Sequence, residues 1–109
     1  MSKKILITGG AGQVGSSLYS FLEKTYNVTN TSRRGSDRSI KLDISDRPEV
    51  ARVLNECSPD VIINCASFNN VDNCEKDKRI ARNVILEGLK NLALIYRKLV
   101  FMNLNITNF

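Results

Sequence analysis

The residues whose spacing points most directly to chemistry form a glycine-rich turn near the start of the chain. Gly9, Gly12 and Gly15 stand at intervals of three, between a short β-branched run and a helical pattern. Glycine lets the backbone turn tightly and approach a ligand, while the first N–H groups and the dipole of the following helix attract negative charge. The setting therefore predicts a site for a nucleotide pyrophosphate, rather than a turn that merely needs positive φ.

A basic pair follows the second predicted strand. In a dinucleotide-binding unit this point lies beside the adenosine ribose, where a carboxylate selects the 2′-hydroxyl and a basic residue accepts a 2′-phosphate. Ser32, Arg33 and Arg34 stand here, without a carboxylate. Because a guanidinium pairs bidentately with phosphate and a hydroxyl adds a hydrogen bond, the residues predict a preference for NADP(H). An exposed basic loop explains the same residues, and NAD(H) remains open as the cofactor.

Two more groups follow the third and fourth predicted strands. Asp43 is placed to accept the exocyclic amine of adenine while Ile44 packs on the ring, although an acidic residue here can also cap a helix. We assign the adenine contact to Asp43 and the capping role to Asp46. The residues Asn64–Ser67 are small enough to let a cofactor approach the carboxyl edge of a sheet, or are small only for packing.

The composition argues against several other classes of protein. A chain of 109 residues predicts one domain, and its net charge of +5 comes from scattered cations with few aromatic residues between them, so no nucleic-acid surface is predicted. Three cysteines without C-x-x-C spacing and the absence of histidine argue against a disulfide framework, a zinc site and imidazole catalysis. The apolar run near the start is too short for a signal peptide or a membrane span, so we expect a soluble, cytoplasmic protein.

The elements that must position these residues alternate between strand and helix. Strands are predicted at Lys4–Thr8, Tyr26–Thr31, Ser39–Leu42, Val61–Ile63 and Leu99–Met102. Helices are predicted from the glycine turn to Leu22, from Ser45 or Asp46 to about Ser58-Pro59, and over Asp77–Arg97. The residues predicted to share the apolar face of each helix are Val14, Leu18, Phe21 and Leu22, then Val50, Val53 and Leu54, and last Ala81, Val84, Ile85, Leu89, Leu92 and Ile95.

This alternation predicts an α/β fold, a Rossmann-like doubly wound parallel sheet of about five strands. Hydrophobic periodicity alone also permits a flavodoxin-like strand order, so the choice of the Rossmann order depends on the motifs.

With the motifs in this order, the chain resembles the N-terminal part of an extended short-chain dehydrogenase/reductase, in particular the dTDP-4-dehydrorhamnose reductase family. The strings that carry the resemblance are Ile5–Gly9, Gly12–Gly15, Leu42–Ile44, Pro59–Ala66, Val71-Asp72 with Glu75, and Gly88 with Asn91-Leu92-Ala93. The resemblance extends to about residue 100, which is most of the chain.

The resemblance implies a set of cofactor-binding roles. By position, Gly12, Gln13 and Val14 would bind the pyrophosphate, Asp43 and Ile44 the adenine, and Ala66, Ser67 and Phe68 the nicotinamide ribose. It also implies an oxidoreductase of nucleotide-sugar metabolism and dTDP-rhamnose biosynthesis, in which hydride passes between the nicotinamide and a keto sugar. A Tyr-x-x-x-Lys motif would supply the proton-transfer pair.

The sequence departs from that family where proton transfer would take place. Tyr19, Tyr26 and Tyr96 are followed four residues later by Glu, Asn and Val, so the Tyr-x-x-x-Lys motif is absent. Ile85 stands where the family often has asparagine, and Asn103–Phe109 replaces a segment that carries a catalytic hydroxyl. We therefore assign no catalytic residue.

We expect residues 1–109 to form an N-terminal NAD(P)-binding domain, truncated relative to the family and lacking a substrate domain. Such a chain would bind cofactor but be inactive alone, and it would take a nucleotide-sugar substrate only together with the missing part. One alternative is a non-catalytic nucleotide-binding or regulatory subunit, similar to the β subunit of methionine adenosyltransferase, in a homo- or hetero-oligomer. Another is a fragment that does not fold stably because a sheet edge is uncovered.

Overall fold

The computed structural model describes residues 3–65, 79, 83, 86–92 and 100–103, the last four by their backbone alone. Its strands are Lys4–Thr8 (β1), Asn27–Ser32 (β2), Ile40–Lys41 (β3), Val61–Asn64 (β4) and Val100–Asn103 (β5). Its helices are Gln13–Leu22 (α1) and Arg47–Cys57 (α2), and residues 86–92 are also helical. The bounds of the predicted strands agree with these to within two residues.

The described strands form one five-stranded sheet in the order β3-β2-β1-β4-β5, and every neighbouring pair is parallel. The chain runs outward from the central β1 to β3 and then returns to the other side of β1 as β4. In an open α/β sheet this reversal opens a crevice at the carboxyl ends of the two central strands, which is where ligands bind. The predicted Rossmann order is confirmed, and the flavodoxin-like order is wrong.

Strand β1 is buried on both faces of the sheet. Leu6 joins a core cluster with residues of α2, including Val50, while Ile5 and Ile7 form a second cluster against α1. Successive side chains of a strand point to opposite faces, so a strand covered on both sides is apolar throughout. The uninterrupted apolar run in β1 therefore follows from its central position.

Helix α2 forms as the sequence predicts. Asp46 is its N-cap, and the Asp46 carboxylate accepts a hydrogen bond from the backbone N–H of Glu49. Pro48 occupies the first turn, where its missing N–H costs nothing. The predicted apolar face is confirmed, because the three residues that α2 buries are Val50, Val53 and Leu54. The helix ends at Ser58, which has a left-handed backbone (φ 43°).

Helix α1 is covered on one side only. Leu18 and Leu22 are partly buried against the sheet, while the ring of Phe21 is 72% exposed and Val14 is 40% exposed. All four residues lie on the apolar face that the periodicity predicts. The described residues partly cover Leu18 and Leu22 on this face and leave Val14 and Phe21 exposed.

The long predicted helix over Asp77–Arg97 is helical wherever its residues are described, at 79, 83 and 86–92. Leu92 is fully buried, as expected, and Leu89 is partly buried. The other residues assigned to its inward face lie outside the described residues. No helix among the described residues is long and apolar enough to cross a membrane.

Candidate functional site

The glycine turn lies at the carboxyl end of β1 and is packed tightly against the start of α1. Gly9 has φ 71°, a left-handed conformation that favours glycine. A Cβ on Gly15 would lie 2.5 Å from the carbonyl oxygen of Gly9 and 2.7 Å from Cα of Gly10. The backbone N–H of Gly10 donates to the carbonyl of Thr31 at 2.7 Å, which ties the turn to β2. The turn is therefore fixed by backbone contacts on two sides.

The N-terminus of α1 is open. Gly12 is the N-cap, with φ −74° and ψ 175°, a conformation that any residue adopts, and no side chain caps the helix. Of the described residues, a Cβ on Gly12 would meet only the carbonyl oxygen of Gly9 at 3.8 Å, an ordinary contact. Gln13 and Val14 are exposed, and the first turn holds no acidic side chain. Within the described part of the chain, no side chain therefore covers the positive end of the helix dipole, an arrangement that suits an anion.

The basic pair lies at the carboxyl end of β2, as predicted. The hydroxyl of Ser32 is within 2.7 Å of the Ser39 hydroxyl, and Ser32 is only 4% exposed. Arg33 and Arg34 are exposed. Nε of Arg33 lies 3.9 Å from Oδ2 of Asp43, so the fold brings together two residues that the sequence places in neighbouring subsites.

The Asp43 carboxylate is held by the loop that follows β3. Its Oδ1 accepts hydrogen bonds from the backbone N–H and the hydroxyl of Ser45, at 3.0 and 2.7 Å. Burial raises the pKa of Asp43, but the Ser45 hydrogen bonds and the cations Arg33 and Lys41 together lower it by more. The net pKa is below its ordinary value, so Asp43 is a charged hydrogen-bond acceptor at neutral pH.

The side chain of Ile44 packs in the apolar core. It is 7% exposed and belongs to the core cluster that packs α2 on the sheet. Gly88 provides the space for it, because a Cβ on Gly88 would overlap the Ile44 side chain. The Ile44 side chain is therefore mostly engaged in the core, and its predicted contact with adenine stays a prediction.

Asn91 holds the Ile44 backbone in place, a role that the sequence did not reveal. It is 1% exposed, and its Nδ2 donates to the carbonyl of Ile44 at 2.8 Å. The helix that carries Asn91 therefore fixes the loop that carries Asp43. One feature of the sequence could have indicated this role: the polar side chain of Asn91 lies on the apolar side of the predicted helix, next to Leu92.

The carboxyl ends of β1 and β4 are joined side by side. The Thr8 hydroxyl donates to Oδ1 of Asn64, and the backbone N–H of Cys65 donates to the Thr8 carbonyl at 2.8 Å. Burial raises the pKa of the Cys65 thiol. Ala66, Ser67 and Phe68, predicted to contact the nicotinamide ribose, lie outside the described residues. Within the described ranges, no group of acidic, cysteine or histidine side chains is placed to hold a metal ion.

Comparisons with known proteins identify the family of the chain. Residues 3–100 match the family described as the RmlD substrate binding domain. The chain is 32% identical over 96 residues to a dTDP-4-dehydrorhamnose reductase of Mycobacterium tuberculosis (strain H37Rv), a match that covers 84% of the chain and 28% of the relative. It is 36% identical over 91 residues to the enzyme of the same name from Burkholderia thailandensis, covering 83% of the chain and 28% of the relative.

Two solved structures are similar to the fold. A dTDP-4-dehydrorhamnose reductase from Bacillus anthracis, in complex with NADP, has a TM-score of 0.73 and 30% identity, covering 87% of this chain and 32% of that one. An L-threonine dehydrogenase from Clostridium difficile has a TM-score of 0.80 and 30% identity, covering 94% and 36%. The chain spans about 28% of the length of the curated relatives above. It belongs to the RmlD substrate-binding-domain family, within the extended short-chain dehydrogenases/reductases.

Proposed function

We propose that the chain binds NADP(H) at the carboxyl edge of its sheet and is the cofactor-binding part of a sugar-nucleotide oxidoreductase similar to dTDP-4-dehydrorhamnose reductase. The observation that carries the proposal is Gly12. Neither its backbone conformation nor its contacts with the described residues require glycine, because φ is −74° and a Cβ would make one ordinary contact with them at 3.8 Å. The missing side chain leaves space in front of an uncapped helix N-terminus, where a pyrophosphate fits.

The residues around that space suit the rest of a dinucleotide. The backbone N–H groups of Gln13 and Val14 begin α1 and would donate to the pyrophosphate oxygens. The carboxylate of Asp43 is charged and would accept a hydrogen bond from the exocyclic amine of adenine. The backbone of Ile44 would contact the same ring. We extend the proposal to Ala66, Ser67 and Phe68 at the nicotinamide ribose, on the resemblance alone.

The preference for NADP(H) rests on the end of β2. A carboxylate there would repel a 2′-phosphate, whereas the chain has Ser32 and the exposed guanidinium of Arg33. Nε of Arg33 lies 3.9 Å from Oδ2 of Asp43, a distance that is compatible with adjoining ribose and adenine subsites. Either hydroxyl of the Ser32–Ser39 pair can be the donor. With Ser39 as the donor, the Ser32 proton is left for a phosphate oxygen.

The second part of the proposal concerns catalysis by the isolated chain. None of its tyrosines is followed by lysine at the spacing of the proton-transfer pair. General acid assistance is commonly worth about two to four orders of magnitude, so a bound nicotinamide would reduce a carbonyl poorly here. We propose that the chain binds its cofactor and, by itself, does not turn over.

Separate titrations with NADPH and NADH test the cofactor proposal. We expect tighter binding of NADPH, and a loss of about tenfold in NADPH affinity for Arg33→Ala, because a hydrogen bond between charged groups contributes about 1.5–3 kcal/mol. NADH affinity should change little. Lys24→Ala is the matched control, since it removes one positive charge beyond the far end of α1. Equal affinities in the wild-type chain would overturn the preference, and no binding of either would overturn the function.

A spectrophotometric NADPH-oxidation assay with a dTDP-4-keto-6-deoxy sugar tests the second part. We expect no oxidation above the rate without sugar. Clear turnover by the isolated chain would show that residues other than a Tyr-x-x-x-Lys pair supply the proton.

A further inference from the structure

The side chain of Asn30 joins two segments that border the proposed cofactor site. Its Nδ2 donates to the carbonyl of Gly10 at 3.3 Å and to the carbonyl of Arg38 at 3.1 Å. Gly10 belongs to the glycine turn, and Arg38 lies in the loop between β2 and β3, which also carries Arg33. One amide therefore connects the proposed pyrophosphate and 2′-phosphate subsites.

The stability of the sheet does not account for this amide. Asn30 is 5% exposed, and among the residues that the structure describes its Oδ1 has no hydrogen-bond partner. Oδ1 lies against Gly10, in the space that a Cβ at that position would fill. Burying an unpaired amide oxygen is unfavourable, whereas a β-branched apolar residue suits a parallel strand. Compared with such an apolar residue, the amide of Asn30 provides two additional hydrogen bonds, both from Nδ2.

The rest of the loop is fastened around the same point. The guanidinium of Arg38 donates to the carboxylate of Glu23 at 2.8 Å and lies 5.1 Å from the centre of the Tyr19 ring. Ser39 contacts the Ser32 hydroxyl. Asn30 thus holds the backbone of the loop at the Arg38 carbonyl, while residues of and next to α1 hold the Arg38 side chain. The Ser32–Ser39 contact joins the two ends of the loop segment that contains Arg33.

We propose that Asn30 is a positioning residue for recognition of the 2′-phosphate. Through the Arg38 carbonyl it keeps the loop folded back on β2, so that Ser32 and Arg33 are held in place before the ligand arrives. Through the Gly10 carbonyl it aligns that loop with the glycine turn. A preorganised loop binds more tightly because less freedom is lost on binding. The inference rests on the proposed function, since it requires NADP(H) as the ligand.

Asn30→Val separates this role from a general role in the fold. Valine removes both hydrogen bonds and also the unpaired oxygen. The Gly10 carbonyl keeps its hydrogen bond from the Ser16 hydroxyl, and Arg38 is exposed, so its carbonyl can bind water; thermal stability should therefore be kept. NADPH affinity should fall by about tenfold, as expected for losing a preorganised charged contact, while NADH affinity changes by less than about twofold. NADH is the internal control, because it lacks the phosphate that the loop would bind. Thr29→Val, one residue earlier on the opposite face of β2, should leave both affinities unchanged.

The outcomes distinguish this inference from the proposed function. If the wild-type chain shows no preference for NADPH, the proposed cofactor preference is wrong, and the positioning role of Asn30 is wrong with it. If the wild type prefers NADPH and folded Asn30→Val keeps the same affinity ratio, the positioning role is wrong. An equal loss for both cofactors also overturns it, since Asn30 would then act only on the glycine turn. Should valine prevent folding, Asn30→Thr tests the same ratio, because its shorter hydroxyl side chain cannot bridge the two carbonyls.

Discussion

Gly15 packs against Gly9 with no space for a side chain between them. A Cβ on Gly15 would lie 2.5 Å from the Gly9 carbonyl oxygen, and Gly9 itself has φ 71°. The first turn of α1 therefore rests directly on the backbone of the glycine turn. The contact fixes where the helix begins and hence where its positive end points.

Gly15→Ala should destabilise the chain. Alanine gains up to about 1 kcal/mol of helix propensity, but forcing a methyl group into a packed contact costs about 1–3 kcal/mol. We expect a net loss in the free energy of unfolding, measured by urea denaturation, together with weaker cofactor binding. An unchanged or raised unfolding free energy would show that the turn can move away from the helix at no cost.

Gly12→Ala should weaken cofactor binding while changing the stability of the fold only slightly. Its backbone conformation is open to alanine, and against the described residues its Cβ would make one contact at 3.8 Å, so the unfolding free energy should fall by no more than about 1 kcal/mol, the cost of alanine in place of glycine at an N-cap. The methyl group would occupy the space assigned to the pyrophosphate, and overpacking of about 1–3 kcal/mol corresponds to a loss of about 5- to 150-fold in NADPH affinity. Wild-type affinity in the folded variant would show that the pyrophosphate lies elsewhere.

The parts of the fold that the sequence predicted are those fixed by local signals. The apolar run of β1, the glycine spacing and the cap of α2 at Asp46 each determine an element from a few adjacent residues. The motif order then selected the Rossmann strand order. The periodicity of α1 grouped Phe21 with buried residues, but periodicity cannot tell which tertiary element covers a face, and Phe21 is exposed.

The parts that escaped prediction depend on contacts between distant residues. The side chain of Ile44 is buried because Gly88, far along the chain, leaves space for it. Asn30 looks like an ordinary polar strand residue until the fold brings Gly10 and Arg38 to it. The position of a side chain in the candidate site is decided by such pairs, which residue types and spacing do not reveal.

Asn91→Leu should weaken the fold although it adds an apolar side chain to a buried position. The substitution keeps the branching and the number of side-chain heavy atoms but removes the donor to the Ile44 carbonyl, and an unpaired buried acceptor costs about 1–3 kcal/mol. Urea denaturation should show this loss. Asn55→Leu, at an exposed position of α2, is the control and should change the unfolding free energy by less than about 0.5 kcal/mol. If the two variants are equally stable, the Asn91 bond contributes nothing.

The stability that Asp43 provides should depend on acid pH. Burial raises the pKa of Asp43, but the Ser45 hydrogen bonds, Arg33 and Lys41 lower it by more, so the folded pKa is below its ordinary value of 3.8. A carboxyl with a lowered folded pKa stabilises the fold above its unfolded pKa, and that contribution is lost as the pH falls through the folded value. The difference in unfolding free energy between wild type and Asp43→Asn should therefore be constant near neutral pH and shrink as the pH falls below 3.8.

Urea denaturation of both proteins across a pH series measures this difference, and Ser45→Ala provides the control. Because the Ser45 hydroxyl is a donor to Oδ1 at 2.7 Å, removing it should bring the folded pKa of Asp43 back toward its ordinary value and reduce the part of the difference that depends on pH. A difference that stays constant into the acid range, or grows as the pH falls, would mean that Asp43 is not held as a carboxylate by these partners.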